Sequence, residues 1–310
     1  MFGTLLGALP LPPDALDDAS RLRAVLEAQA EAGLEPLTDG LPAADPGPAT
    51  VERWRAAAGR TDRALKAVLR GPWSAALEAA PGAGAGAGVW AGDRWVAARP
   101  LESDMLRRAE ALRETVLALA EAGCPLVEIR ETAADRIGDD ALARRIFREA
   151  HLRLASDLGA THLSLSIVGG SAWEAGAATI LDPPYRSLAV DLVTGPENWR
   201  LVTAAPGERG IVVGVLEAGE GSDDGPELPV WAAHYAASTR GRGLERVGIG
   251  TSGDLDRLSW PQALAKLHAL AEAARVAGLP GGDLADALDP RAVSKRAAAL
   301  GRAARRRPRP

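Results

Sequence analysis

The sequence is poor in cysteine, with Cys124 as the single example among 310 residues. One cysteine excludes a disulfide framework and any cysteine-rich zinc module. The chain also lacks an apolar run of about 18 residues and a leader in which a charged segment precedes an apolar one. We therefore expect no membrane span and no signal peptide, and we expect a cytoplasmic protein.

Aromatic residues are scarce as well, at 4% of the chain, and eight of them are tryptophan. The apolar fraction of 47% is nevertheless enough for a hydrophobic core, which excludes an intrinsically disordered chain. A length of 310 residues suits one large domain or two small ones, and α/β barrels reach this size as single domains.

The formal net charge is −5, yet the segment from Arg291 to Pro310 contains basic residues and no acidic one. A basic segment is typical either of a tail that binds nucleic acid or of a solvated chain terminus. This segment has no interleaved aromatic side chains that could stack on bases. We therefore interpret residues 286–310 as a flexible tail and predict no nucleic-acid partner.

Apolar runs typical of β-strands alternate with helical segments through most of the chain. The predicted strands span residues 3–9, 34–40, 64–71, 125–131, 161–167, 187–193, 210–217 and 245–250. The clearest predicted helices span residues 19–33, 103–123, 139–159 and 259–278. This order predicts an α/β fold over residues 1–285, a single (β/α)8 TIM barrel with a parallel eight-stranded core. An open doubly wound sheet is the alternative, but no glycine-rich phosphate loop follows the first strand.

Two segments interrupt this alternation. Residues 42–62 add a proline-rich loop and a short helix, and residues 81–95 form a loop rich in glycine and alanine. The loops that follow barrel strands form the active face, so these insertions are either lids over that face or neutral linkers.

The segment THLSLSIVGG, Thr161 to Gly170, places a histidine at the start of a regular alternation. Its apolar residues fall on one face of a strand, and Ser164 and Ser166 fall on the other. A polar face that begins with His162 and ends in two glycines is typical of a strand that borders a functional site.

Several segments are similar, in order along the chain, to motifs of one enzyme family. They read GTLLGALPLPP (3–13), EAGLEPLTDGL (31–41), LKAVLRGPWS (65–74), LAEAGCPLVEIRE (119–131), THLSLSI (161–167) and ERVGIGTSGDL (245–255). Together they resemble the catalytic domain of cobalamin-independent methionine synthase over about residues 3–280. The resemblance implies a barrel of the methionine synthase/uroporphyrinogen decarboxylase-like superfamily.

That family transfers a methyl group from a methylated folate to homocysteine, using zinc held by a histidine, two cysteines and a glutamate. The resemblance places His162 on the ligand histidine, Ser164 and Ser252 on the cysteines, and Glu197 near the glutamate. A serine hydroxyl stays protonated at neutral pH and is a poor zinc ligand beside a thiolate. Cys124 precedes its strand, at the opposite end from the active face. We therefore predict no metal and no cofactor, with zinc and folate expected only if the family activity is retained.

The residues that the resemblance assigns to the amino-acid substrate are also changed. Leu41 stands for a glutamate, Arg130 for an aspartate and Ala8 for a serine, whereas Asp39 and Glu131 are retained. A guanidinium in place of a carboxylate favours an anionic small molecule over the ammonium group of homocysteine. The alternative is that Arg130 forms a local ion pair with an acidic neighbour such as Glu131 or Asp39.

We expect Arg130, Glu131, His162, Asp191 and Ser252 to lie near one face, at the carboxyl ends of the strands, where TIM-barrel active sites form. The candidate catalytic residues are His162, Glu131 and Arg130. The candidate substrate-binding residues are Asp39, Asp191, Ser164, Ser252 and Trp173, the last as a platform for a flat ring. His162 is either a base or lone metal ligand, or an inherited histidine that is hydrogen-bonded inside the mouth of the barrel.

Three functions remain open. The first is an enzyme of the methionine synthase-like superfamily that acts on a small anionic molecule, with methyl transfer as one option, without the zinc–thiolate site. The second is a non-catalytic barrel that binds a small molecule or a partner. The third is the conventional 5-methyltetrahydropteroyltriglutamate–homocysteine S-methyltransferase of methionine biosynthesis. The altered site residues favour the first two, because fold alone does not determine function.

The loss of both thiolates predicts that the protein purified without added metal contains no stoichiometric zinc and does not methylate homocysteine. Ser164→Cys alone should restore neither property, because the second thiolate is still missing. Elemental analysis of the purified chain tests this. A content near one zinc per chain that is abolished by His162→Ala would return the protein to the conventional family.

Overall fold

The computed structural model describes residues 1–79, 102–220 and 225–288, together with the backbone of residues 88–91 and 94–97. The predicted basic tail lies almost entirely outside the described residues, as does part of the predicted loop at 81–95. No helix in the described ranges is both long and apolar enough to cross a membrane.

The fold is α/β, with a curved sheet of seven parallel strands in the order β1-β9-β8-β7-β6-β5-β2. These strands are β1 Phe2–Thr4, β2 Ala67–Arg70, β5 Leu126–Glu131, β6 His162–Ile167, β7 Ser187–Asp191, β8 Gly210–Leu216 and β9 Val247–Thr251. The helices are α1 Asp18–Ala32, α2 Pro48–Ala58, α3 Pro72–Ala79, α4 Glu102–Glu121, α5 Ala141–Ala155, α6 Ala177–Leu181, α7 Trp199–Ala204, α8 Glu227–Ser238, α9 Trp260–Ala277 and α10 Gly281–Ala287. The prediction of alternating strands and helices is confirmed at seven of the predicted strand positions.

The remaining predicted strand, residues 34–40, is the second in chain order. It is reduced to one bridge between Leu37 and Leu65. Pro36 has no N–H group to donate to a ladder, and Gly40 turns the chain away with a φ of +67°. The segment still lies between the two edge strands: Glu35 N donates to Gly3 O at 3.0 Å, and Lys66 N donates to Leu37 O at 3.0 Å.

The predicted first strand, residues 3–9, is shorter in the structure because the chain turns at Gly7. Its φ of +149° is a conformation that side chains rarely adopt, and a Cβ there would lie 2.7 Å from the backbone of Asp254. The segment after α3 also differs from the prediction of a loop, since Gly88–Ala91 (β3) and Arg94–Ala97 (β4) pair as an antiparallel hairpin.

The two faces of the sheet carry different residues. The outward face is apolar and packs against the helices, as Leu163, Leu165 and Val190 show. The inward face carries mainly small or polar residues, and its apolar residues form a separate small cluster of Leu6, Ala189 and Val212 with Phe2. Interior space is therefore available for polar groups and for a ligand.

A buried arginine holds together the loops at the amino ends of the last strands. Arg242 is fully buried, and its guanidinium donates to the backbone carbonyls of Arg209 (2.9 Å), Ala236 (2.8 Å), Ala205 (3.1 Å) and Pro206 (3.3 Å). The guanidinium thus supplies donors to carbonyls from two separate parts of the chain. One side chain thus fixes the loop before β8 against the loop before β9.

We predict that Arg242→Met lowers the free energy of unfolding by about 3–5 kcal/mol, because several carbonyls around a fully buried guanidinium lose their charged donor. Arg240→Met is the matched control, since the exposed Arg240 donates to a single carbonyl, that of Thr203. The control should change stability by about 1 kcal/mol or less. Urea unfolding measures both variants, and equal effects would show that the network around Arg242 is not the stabilising feature.

Candidate functional site

A cavity of about 560 Å³ opens at the amino ends of the parallel strands. Its walls come from the first residues of several strands, among them Phe2, Leu126, His162, Ser187 and Gly210. The cavity therefore lies at the end of the sheet opposite to the one at which TIM-barrel active sites form. Its volume is in the range of small-molecule binding sites.

The inner end of the cavity contains an ion pair between Lys66 and Glu128. Lys66 Nζ lies 2.7 Å from Glu128 Oε2 and donates to the carbonyl of Leu5 at 2.8 Å. Both side chains are almost fully buried. A charged pair inside a sheet is stable only when its hydrogen bonds are good, so these contacts fix the orientation of both groups.

His162 lies on the wall of the same cavity, where its Nε2 is 2.9 Å from the hydroxyl of Ser187. Burial lowers the pKa of His162, and the nearby positive charge of Arg186 lowers it further. The imidazole is therefore neutral at neutral pH and is able to accept a proton. Ser164 lines the cavity beside it.

The mouth of the cavity is rich in arginine. Arg186, Arg209 and Arg246 each come directly before the first residue of a strand, β7, β8 and β9 respectively. Glu208 and Glu245 are at the same mouth, so cations exceed anions there by one. Burial lowers the pKa of Arg209.

The arginine positions could have been found in the sequence. In YRSLAVD, ERGIVV and ERVGIG an arginine precedes each of three apolar strands that are adjacent in the sheet. These arginines were not predicted as site residues, because the functional site was expected at the carboxyl ends of the strands.

Arg130 is at the other end of the sheet, where it forms an ion pair that the sequence analysis did not identify. Its two terminal nitrogens bind both carboxylate oxygens of Asp254, at 2.8 and 3.0 Å. Ala8 N also donates to this carboxylate, at 2.7 Å. Two of the positions that the resemblance assigns to the amino-acid substrate therefore bind a side chain of the protein. The anion preference that we expected of Arg130 required a guanidinium without a partner in the chain. The ion pair with Asp254 removes that basis.

Glu131 is fully buried and points outward from the sheet, into the helical layer. Its carboxylate accepts hydrogen bonds from Trp73 N (3.0 Å), from Ser74 N (2.8 Å) and hydroxyl, and from His151 Nε2 (3.0 Å). His151 Nδ1 is in turn 2.6 Å from the hydroxyl of Tyr185. Burial and the charge of Glu131 raise the pKa of Tyr185. In this network Glu131 caps the start of α3, and its side chain is fully buried.

The remaining candidates form local contacts. Asp191 accepts hydrogen bonds from Gly169 N, Val193 N and Thr194 N. Ser252 accepts from Ala218 N. These contacts fix the turns that follow the strands.

Two candidates contact arginines near the protein surface. Asp39 forms an ion pair with Arg53. The guanidinium of Arg200 lies 5.4 Å from the ring centroid of Trp173 and also pairs with Glu197.

The expectation that Arg130, Glu131, His162, Asp191 and Ser252 lie near one face is wrong. His162 pairs in register with Leu126, the first residue of β5, whereas Arg130 pairs with Ser166 near the opposite ends of both strands. The separation is four residues, or about 13 Å along a strand. The residues of this segment that reach the carboxyl end are Ser166, Ile167 and Val168, not His162 and Ser164. Within the described residues no three His, Cys, Asp or Glu side chains converge as metal ligands would.

No protein-family model matches the sequence. No curated protein is similar to it either. Solved structures are similar in fold. A B12-independent methionine synthase from Shewanella sp. W3-18-1 is 14% identical with a TM-score of 0.66, covering 88% of this chain and 96% of that one.

Two further solved structures show how widely the fold is shared. A methyltransferase from Methanosarcina mazei is 13% identical with a TM-score of 0.53, covering 88% of this chain and 94% of that one. A sugar phosphate isomerase/epimerase from Parabacteroides distasonis is 12% identical with a TM-score of 0.51, covering 90% and 99%. These similarities show a TIM-barrel-like fold, and a fold of this kind supports many chemistries.

We predict that Glu131→Gln lowers the free energy of unfolding by about 3–5 kcal/mol, because an amide would turn its N–H group towards donors in a buried site. Glu197→Gln is the control: the Glu197 side chain is 57% exposed and its pair with Arg200 should contribute about 1 kcal/mol or less. Urea unfolding of both variants measures the difference. Unchanged stability in Glu131→Gln would contradict a structural role.

Proposed function

We propose that the protein is a barrel that binds a small anionic molecule at the amino ends of its strands, without zinc-dependent methylation of homocysteine. The observation that carries this proposal is the cavity with Arg186, Arg209 and Arg246 at its mouth. Guanidinium groups suit carboxylate and phosphate ligands because they donate two parallel hydrogen bonds.

The contacts at the carboxyl end of the sheet also support this proposal. Arg130 and Ala8 bind Asp254, and the carboxylates of Glu131 and Asp191 accept several hydrogen bonds each from the chain. An amino-acid substrate there would have to break the Arg130–Asp254 pair. We therefore place the ligand at the amino end.

We also propose that residues 34–37 take the place of the eighth strand and close the sheet into a (β/α)8 barrel. The hydrogen bonds of Glu35 to β1 and of Leu37 to the chain before β2 support this closure. Methyl transfer, the activity of two of the proteins that are similar in fold, is supported for this chain by the fold alone.

Catalysis in the same cavity is the second candidate function, and the neutral His162 favours it. A half-buried imidazole of lowered pKa, 2.9 Å from a serine hydroxyl, is suited to remove a proton from a bound molecule at neutral pH. His162 would then be the base, and Ser187 would orient its ring.

Thermal unfolding with a panel of small phosphates and carboxylates, inorganic phosphate included, tests the proposal at matched ionic strength. We expect a stabilising anion whose affinity falls at least about tenfold in Arg186→Gln/Arg246→Gln, since each arginine lost removes a charge-assisted contact. Arg23→Gln/Arg60→Gln is the control of equal charge change, because both of these arginines are exposed and outside the cavity.

Equal responses of the wild type and both double variants would show that the anions bind without a specific site, and would overturn the proposal. Chromatography would show whether the protein consumes a bound anion. Consumption by the wild type but not by His162→Gln would identify the catalytic alternative instead.

A further inference from the structure

The carboxylate of Glu128 has one oxygen that no group of the described chain satisfies. Four buried side-chain polar atoms in the described ranges have no hydrogen-bond partner: Arg21 Nε, Glu128 Oε1, Arg130 Nε and Ser166 Oγ. Of these four residues, only Glu128 is among those that line the amino-end cavity. Its residue exposure is 2%, so bulk water does not compensate for the missing donor.

The ion pair with Lys66 determines which oxygen remains available. Lys66 Nζ binds Oε2, at 2.7 Å, and is itself held by the carbonyl of Leu5. Oε1 is therefore an unpaired acceptor of fixed position, and it belongs to a residue that lines the inner end of the cavity. A buried carboxylate oxygen is costly to leave without a donor, and a ligand that supplies one gains a charge-assisted hydrogen bond.

The charge around Oε1 selects the kind of donor. Lys66 already neutralises Glu128, and an ammonium group of a ligand would be repelled by the charge of Lys66. Ser164, next to Glu128 in the sheet register, adds only a neutral hydroxyl, and the wall residue His162 is neutral at neutral pH. A neutral hydroxyl group therefore fits this position better than an amine.

Apolar side chains also line the cavity. Phe2, Leu126, Ile211 and Val212 contribute to its walls. A ligand that satisfies both ends has its negative charge at the mouth and its hydroxyl group at the inner end, joined by carbon atoms.

We infer that the ligand is a hydroxylated anion whose hydroxyl group donates a hydrogen bond to Glu128 Oε1 while its carboxylate or phosphate binds the arginines at the mouth. This inference rests on the proposed function, because it assumes that the amino-end cavity is the binding site. It makes Glu128 the residue that determines specificity, through a contact that is separate from the charge recognition by the arginines.

Two pairs of probes test the inference by isothermal titration calorimetry on the full-length protein. Glycerol 3-phosphate is compared with n-propyl phosphate, and 4-hydroxybutyrate with butyrate; the partners in each pair differ only in hydroxyl groups. The phosphate and carboxylate pairs distinguish the two sources of negative charge. We expect the hydroxylated member of at least one pair to bind about 10- to 100-fold more tightly, the range for a hydrogen bond to a charged group.

Variants then locate the contact. Glu128→Gln should reduce this preference to less than about threefold while Arg186→Gln/Arg246→Gln weakens both members of the pair equally. If Glu128→Gln does not fold, Lys66→Met/Glu128→Met removes both charges together and should abolish the preference in the same way.

The outcomes distinguish the hydroxyl contact with Glu128 from the anion site at the arginines. Equal binding of both members of each pair, with affinity that still depends on the arginines, overturns the hydroxyl contact and leaves the anion site intact. A preference that persists in the Glu128 variants overturns the role of Glu128. Absence of binding by every probe at millimolar concentration overturns the inference and counts against the anion site as well.

Discussion

The structure depends on the burial of one carboxylate, that of Glu131, between the sheet and the helical layer. It accepts hydrogen bonds from the first turn of α3 and from His151 on α5, which ties two helices to β5. A charge buried this deeply persists only when donors surround it. Gly71 is part of the constraint, because a Cβ at that position would lie 2.2 Å from the carboxyl carbon of Glu131. The residue that sequence comparison presents as catalytic is therefore committed to holding the fold together.

Strand β5 shows how the two ends of the sheet come to differ. Alternation directs Glu131 outward, Arg130 inward at the carboxyl end and Glu128 inward towards the amino-end cavity. At the carboxyl end Arg130 forms an ion pair with Asp254. At the amino end one oxygen of Glu128, a residue that lines the cavity, is left without a donor. The unpaired acceptor and the cavity thus lie at the end where this fold does not usually place its chemistry.

Local patterns in the sequence were sufficient to predict most of the fold. Period-two alternation predicts β6, and serine, proline and glycine punctuation predicts α9, because these signals arise within a few residues. The candidate site was harder to predict from the sequence. The ion pair of Arg130 with Asp254 and the bond of Glu131 to His151 join residues far apart in the chain, and no local pattern specifies them. His162 was placed at the wrong end because a motif similarity does not show how far along a strand a residue lies.

The guanidinium of Arg242 limits how this protein can change over evolutionary time or by engineering. Arg242 lies in the loop before β9 and donates to carbonyls of the loop before β8, so an insertion in either loop would carry these carbonyls out of its reach. Barrel enzymes commonly diversify by lengthening loops at the carboxyl ends of their strands. The cavity of this protein lies where lengthening is penalised, so new ligand preferences would arise there through replacement of individual side chains on loops of constant length.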